Sequence, residues 1–449
     1  MIQLNLSDLA GVLNCETPAS DVLVDNIVTD SRKVHYGSLF AALPGSQVDG
    51  HDFASTAVEM GAVALLVSRR LDLDIPQLVV KDVLLALGQL ARLIRDRINP
   101  RVVGITGSNG KTTVKEMLSS ILRLQGKVLA TRGNYNNELG VPLSLFELEA
   151  DHGYAVLELG ANKAGDIAYL TGIARPDVGL ITNVGPAHLQ GFGDEKGVAE
   201  AKGEIYAGLP ESGWAIINGD EPWSSDWQKT STAGHTLTFG TKAGNDVRLE
   251  KKEGQARIVA PQGSFDLELP LPGEHNLLNA TAAAAAAIAL DIPLDVIQSG
   301  LAAVKPVPGR LNLLPTASGC TVIDDTYNAN PASLYSALQV LANLQGKGWL
   351  VLGDMKELGS GSRKLHLEVG DAARSMGVSR VFATGEMSKS TVDAFGEGAT
   401  HYEDREALIE ALIPELRPGI NCLVKGSRSM GMEAVVEAIR QDRGMREAS

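Results

Sequence analysis

Two hydrophobic periods alternate along the chain. Val83 to Arg97 (VLLALGQLARLIRDR) spaces its apolar residues as a helix does, and in Thr113 to Gln125 the residues Val114, Met117, Leu118, Ile121 and Leu122 form one face that ends at Gly126. Short apolar runs of strand type lie between such stretches, at Arg101 to Thr106, Tyr154 to Leu159, Val178 to Val184 and Trp214 to Asn218. This alternation predicts a largely parallel sheet covered by helices. From Thr236 to Leu269 the pattern changes to short alternating segments (LTFG, DVRLEK, ARIVA, FDLELP), read as antiparallel hairpins attached to the main sheet, and Asn276 to Leu290 reads as an alanine-rich helix. Beyond residue 313, strands at Cys320 to Asp324, Trp349 to Gly353, Arg380 to Thr384 and Cys422 to Lys425 alternate with helical stretches such as Ser333 to Leu344 and Glu406 to Leu416. A second doubly wound, Rossmann-like unit accounts for them. Before residue 83 the chain is mixed, with apolar segments at Leu23 to Val28, Ser38 to Leu43 and Ala62 to Val67 between turns.

The expected architecture is therefore α/β in three domains, 1–82, 83–312 and 313–449: a smaller α/β unit, a central mostly parallel sheet with an antiparallel subsheet, and the Rossmann-like unit. A length of 449 residues fits three cores of ordinary size. Charge narrows the function classes. With 40 Lys+Arg against 54 Asp+Glu the net charge is −14, which argues against a basic surface for nucleic acid, so anionic ligands need local sites. The longest apolar run, Ala282 to Leu290, is about half of a membrane span, and the first residues, MIQLNLSDLAGVL, lack the basic start of a signal peptide. Cys15, Cys320 and Cys422 form no CxxC pair. A cytoplasmic, monomeric protein is the default expectation.

The strongest chemical signal is Gly104-Ile-Thr-Gly-Ser-Asn-Gly-Lys-Thr-Thr113, between a predicted strand and a predicted helix. Gly107, Ser108, Asn109 and Gly110 can turn backbone N–H groups toward phosphate oxygens, and the helix beginning at Lys111, Thr112 and Thr113 adds its positive end. Lys111 then reaches the outer phosphates and the Thr112 hydroxyl suits Mg²⁺. The usual loop has its first glycine where this chain has Ile105; here the glycines stand at 104 and 107. This makes the central unit P-loop-type. Glu158, near the end of an apolar strand, is the right hard ligand for Mg²⁺, and His188, on a Gly/Pro loop after another strand, is a candidate for a second metal. Local sequence gives Lys202 no role beyond that of a solvated helix lysine.

The strings GITGSNGKTT, TRGNYNNELGVP, LELGAN, NVGPAHL, EAKGEIY, PGEHNLLNA and IDDTYNANP occur in the order found in the Mur ligases of peptidoglycan synthesis, and DSRKVHYGSLFAALPG with DGHDF extends the resemblance over nearly the whole chain. The resemblance implies an ATP-dependent, ADP-forming amide ligase acting through an acyl phosphate. It implies two Mg²⁺ ions held by Thr112, Glu158, His188 and a Lys202 carbamylated by CO₂, with Lys111, Glu158, His188 and Lys202 as the catalytic set. Asn279 would contact adenine, and Arg310 and Asp325 would reach the nucleotide. Ser31, Arg32, Asn134, Asn137, Tyr327, Asn328, Asn330 and Lys425 would bind the other substrates. The D-N-P-R motif of the diamino-acid-adding relatives is missing from the last block, which has TYNANP and GDMKELG instead. The chain thus resembles the branch that adds D-alanyl-D-alanine to UDP-N-acetylmuramoyl-tripeptide. A folylpolyglutamate synthase, or a nucleotide-dependent switch without amide chemistry, are the alternatives.

Overall fold

The computed structural model describes residues 1–45, 48–186, 189–252 and 254–441. Near the N-terminus, strands Asn26–Val28, Ser38–Ala41, Ala64–Val67 and Gln77–Val79 form a parallel four-stranded sheet in that order. The conspicuous histidine of DGHDF is structural: the His51 ring is buried, its Nδ1 lies 2.6 Å from Asp49 and its Nε2 accepts the Ser68 N–H at 3.0 Å. The helix Val83–Ile98 starts on an Asp82 cap and ends at Asn99, whose φ of 52° is left-handed. Its apolar face is the seam between two sheets, because one continuous core runs from Leu4 and Leu39 through Leu87 and Leu90 to Leu157 and Ile181.

The central sheet has nine strands. From one edge they are Gly263–Asp266, Gln255–Ala260, Val247–Lys252, His235–Gly240, Trp214–Asn218, Val178–Ile181, Arg101–Thr106, His152–Glu158 and Lys127–Ala130. Arg101–Thr106 lies between Val178–Ile181 and His152–Glu158, all parallel, so the loops leaving their C-terminal ends open onto one crevice, where open α/β sheets bind ligands. The alanine-rich helix Glu274–Ala289 buries every residue from Ala282 to Ala289 and packs against the helix Lys111–Leu122 and the sheet. Small side chains allow that close approach.

One sequence expectation is corrected here. His235–Gly240 is not part of an antiparallel hairpin: it pairs in parallel with Trp214–Asn218, and Val247–Lys252 in turn meets its end in parallel. The helix Ser224–Thr230 makes the crossover that parallel pairing requires. Only Val247–Lys252, Gln255–Ala260 and Gly263–Asp266 form the antiparallel extension. The edge strand Lys127–Ala130 was not predicted.

The last sheet has the order Asn312–Pro315, Thr321–Asp325, Ile420–Lys425, Lys347–Gly353, Arg380–Thr384, Ala399–Tyr402, parallel except for its first strand. Asn312 already pairs with Asp324, so this sheet begins at residue 312. The parallel core accords with the expected doubly wound unit. Among the described residues, no helix is long and apolar enough to cross a membrane.

Candidate active site

The phosphate loop is held from below by the end of the neighbouring strand. Asn109 N–H donates to Asn183 Oδ1 at 3.0 Å, Asn183 Nδ2 donates back to the Asn109 carbonyl at 3.1 Å, and Thr182 Oγ1 donates to the same carbonyl at 2.6 Å. Two glycines are required by this geometry. A Cβ on Gly107 (φ 146°) would lie 1.9 Å from Thr182 Oγ1, and one on Gly110 (φ 82°) 2.5 Å from Asn279 Oδ1. The helix then begins at Lys111, and the N–H groups of its first turn have no intrahelical acceptor. Lys111 Nζ folds over the loop and donates to the Gly107 carbonyl at 2.7 Å.

Glu158 ends its strand buried, with Oε2 accepting the Thr112 hydroxyl at 2.8 Å and Oε1 accepting Asn136 Nδ2 at 2.9 Å. Its own N–H donates to Thr131 Oγ1 at 3.0 Å. Carboxylate and hydroxyl thus stand together as hard oxygen donors, the set a Mg²⁺ ion takes. Lys202, in the helix Glu195–Ala207, is buried, against the reading of a solvated lysine. Burial and the nearby Lys111 push its ammonium down to about 7. Burial likewise pulls Lys111 below the ordinary lysine value, with Glu158 opposing and Arg310 reinforcing the shift. Cations collected in a buried space, with Glu158 the carboxylate among them, suit a polyphosphate.

The last sheet closes this space. Arg310 Nη2 donates to Thr112 Oγ1 at 2.8 Å, and Asn330 Nδ2 donates to Asn109 Oδ1 at 2.8 Å. Arg310 Nε is buried without an acceptor among the described residues, a donor set for an anionic oxygen. Asp325 forms an ion pair with Lys425, whose Nζ also donates to the Asn328 carbonyl at 2.9 Å. The resulting cavity, about 770 Å³, brings together Ser108, Asn109, Lys111, Glu158 and Lys202 with Arg310, Asp325 and Lys425. It also takes in Gly107, Gly110, Thr113, Asn134, Asn137, Asn279, Tyr327, Asn328 and Asn330. Thr112 lies just behind, buried. Asn137 additionally accepts the Gly140 N–H at 2.8 Å as a helix start.

Ser31 and Arg32 lie apart from this cavity, in a turn after Asn26–Val28, where Arg32 pairs with Asp30 at 2.9 Å and is otherwise exposed. His188 lies outside the described residues. Sequence reasoning passed over Asn136, Thr131 and Asn183, although Asn136 is the third residue of the NYNN string it used.

His275, in the same wall, is held neutral. Burial, with Lys425 as second cause, pushes its imidazole down to about 4. The unfolded chain, with histidine near 6.5, binds the proton first as pH falls, so this residue costs stability progressively from about pH 6.5 to 4. His275→Asn is expected to shrink the acid loss of stability between pH 7 and 4 by about 1–3 kcal/mol. Parallel melting-temperature profiles of variant and wild type would exclude it.

Sequence profiles of known families agree with the chain in three places: the profile "Mur ligase family, catalytic domain" over residues 23–120, "Mur ligase middle domain" over 105–287 and "Mur ligase, glutamate ligase domain" over 309–428. The UDP-N-acetylmuramoyl-tripeptide–D-alanyl-D-alanine ligase of Escherichia coli is 46% identical, over 98% of this chain and 99% of its own. The chain belongs to the Mur ligase family. Two solved relatives of this Mur ligase share its whole architecture. A crystal structure of MurF from Acinetobacter baumannii superposes with a TM-score of 0.92 at 36% identity, covering 98% of this chain and 99% of that one. The MurF ligase of Thermotoga maritima, crystallised in complex with ADP, superposes at 0.85 with 32% identity, covering 94% and 98%. ATP use by this Mur ligase, and the three-domain α/β fold, accord with these relatives.

Proposed function

We propose that this Mur ligase joins D-alanyl-D-alanine to the terminal carboxylate of UDP-N-acetylmuramoyl-tripeptide, with ATP converted to ADP and phosphate and UDP-N-acetylmuramoyl-pentapeptide as product. The observation that carries the reading is the convergence of Lys111, Glu158, Lys202 and Arg310 on one cavity that the last sheet closes. The dipeptide is favoured by near full-length likeness to the E. coli ligase and by the missing D-N-P-R motif.

Amide formation from a carboxylate is uphill in water, so the tripeptide carboxylate first attacks the γ-phosphorus. The O–P bond to ADP breaks and an acyl phosphate forms. The neutral amine of the dipeptide then attacks the acyl carbon, the C–O bond to phosphate breaks, and the amine gives up a proton. Lys111 and Arg310 relieve the repulsion between the two anions and meet the charge that grows on the transferred group. Thr112, Glu158 and Lys202, with His188 from the resemblance, would hold two Mg²⁺ ions, which supply charge neutralisation and Lewis acidity when bound. Asn136 and Thr131 fix the Glu158 carboxylate and backbone. The Lys202 ammonium, with its pKa lowered to about 7, gives one proton to water; the neutral amine then attacks CO₂, an N–C bond forms as one C=O π pair passes to oxygen, and a second proton leaves to water, so that a cation becomes a two-oxygen anionic ligand. Asn279 serves the adenine and Asp325 the nucleotide. We assign 1–82, with Ser31 and Arg32, to the uridine nucleotide, 83–312 to ATP and 313–449 to the dipeptide. Asn134, Asn137, Tyr327, Asn328, Asn330 and Lys425 face the substrates in the cavity.

The test is phosphate release from ATP and Mg²⁺ with UDP-N-acetylmuramoyl-tripeptide. Release is expected only when D-alanyl-D-alanine is added; release driven instead by a diamino acid or by glutamate would overturn the assignment.

A further inference from the structure

Five cationic side chains line the cavity: Lys111, Lys202, Arg310, Lys425 and Arg428. Four are engaged by the chemistry already described. Lys111 lies over the phosphate loop, Arg310 is bonded to Thr112, Lys425 is paired with Asp325, and Lys202 is buried beside Lys111. Arg428 differs. It follows the strand Ile420–Lys425 in the turn Arg428–Met430, its side chain is 65% exposed, and the ion pair found for it is with Glu433 at 3.3 Å. Exposed pairs of this kind are weak and readily exchanged.

Its position is nonetheless fixed. Ser427 N–H donates to the Asp354 carbonyl at 3.0 Å and Ser427 Oγ accepts the Lys356 N–H at 2.8 Å, so the backbone under Arg428 is tied to the neighbouring strand end. The Tyr327 ring carries two guanidinium groups, Arg310 with Cζ 4.2 Å from the centroid and Arg428 with Cζ 5.8 Å. The inner cation faces the phosphate loop. The two guanidinium carbons are therefore at most about 10 Å apart, within reach of an extended dipeptide of about 7 Å with an ionic contact at its end. A dipeptide amine must leave its nucleophilic end at the acyl phosphate and its carboxylate at the far end. That anion needs a cation which is not already committed.

We propose that Arg428 captures the free carboxylate of the dipeptide substrate, beside the Tyr327 ring that it shares with Arg310. The proposal rests on the dipeptide reading above.

The test compares D-alanyl-D-alanine with its C-terminal carboxamide as acceptors for wild type, Arg428→Ala and Arg428→Lys, with KM for ATP and for the UDP-tripeptide measured alongside. Wild type is expected to prefer the carboxylate by about 10–100-fold in kcat/KM. Arg428→Ala should accept both alike, with KM for the dipeptide raised by a similar factor and the other two KM values unchanged. Arg428→Lys, which keeps the charge but not the fork, should fall between them. If Arg428→Ala still discriminates as wild type does, or if its KM defect falls on ATP, the role of Arg428 is overturned while the dipeptide reading stands. If wild type releases no phosphate with either dipeptide, the substrate reading fails, and this proposal with it.

Discussion

Lys202→Ala is expected to lower turnover by about a thousandfold or more while leaving the melting temperature within a few degrees of wild type. The buried amine has no hydrogen-bond partner among the described residues, and its pKa near 7 means that burial already disfavours its charge. Truncation removes an apolar stem and a poorly solvated amine together, and these act on stability in opposite directions. Chemistry has no such offset, because the proposed carbamate ligand would be lost. Lys202→Arg separates carbamate from plain charge: arginine keeps a cation but cannot be carbamylated under these conditions, so it should be as inactive as alanine. In ¹³C-labelled CO₂ the wild type should show a carbamate carbon resonance that Lys202→Ala lacks. Full activity in either variant would remove the carbamate.

Lys111→Ala should cost on the order of 10³ in kcat, the scale of a cation that meets a transferring phosphoryl group. Among the described residues its ammonium is bonded only to loop carbonyls, at 2.7 and 3.4 Å, and burial opposes its charge, so little native stability depends on it. The discriminating measurement is thermal: Mg²⁺ and ADP should raise the melting temperature of wild type through binding linkage, and raise that of the variant much less. An unchanged rate would refute the phosphate-loop argument. An unchanged rate with a lowered melting temperature would make Lys111 structural.

How far the sequence could be read depends on how locally each feature is encoded. The phosphate loop was legible because strand, loop and helix follow one another within a dozen residues, and Arg101–Thr106 lies where its apolar run places it. Glu158 was legible as a carboxylate ending an apolar strand. The pairing direction of His235–Gly240 was not, because alternation is the same in parallel and antiparallel strands and only the crossover helix decides. Lys127–Ala130 was too short to register beside its neighbours. Lys202 looked solvated because Glu200 and Glu204 stand two residues to either side of it; its burial comes from elements far away in sequence. Arg310 and Asn330 meet residues 198 and 221 positions earlier, and no spacing rule joins such distances. Only the ordered set of strings, taken as a resemblance, pointed to them. Arg428 was legible only as the end of Lys425-Gly426-Ser427-Arg428, a string that closes a strand on the side expected to face substrate.

Thr112 has one hydroxyl, which here donates its proton to Glu158 and accepts from Arg310. A divalent ion bound at that oxygen and the guanidinium would draw on the same lone pairs, and two cations in direct contact repel. An ion held by Thr112 and Glu158 would bring a second cation close to Arg310, whose Nε, buried without an acceptor among the described residues, is free to take an anionic oxygen of the nucleotide. Thr112 thus joins the phosphate loop, the carboxylate at the end of a neighbouring strand and the segment leading into the last sheet through one oxygen atom.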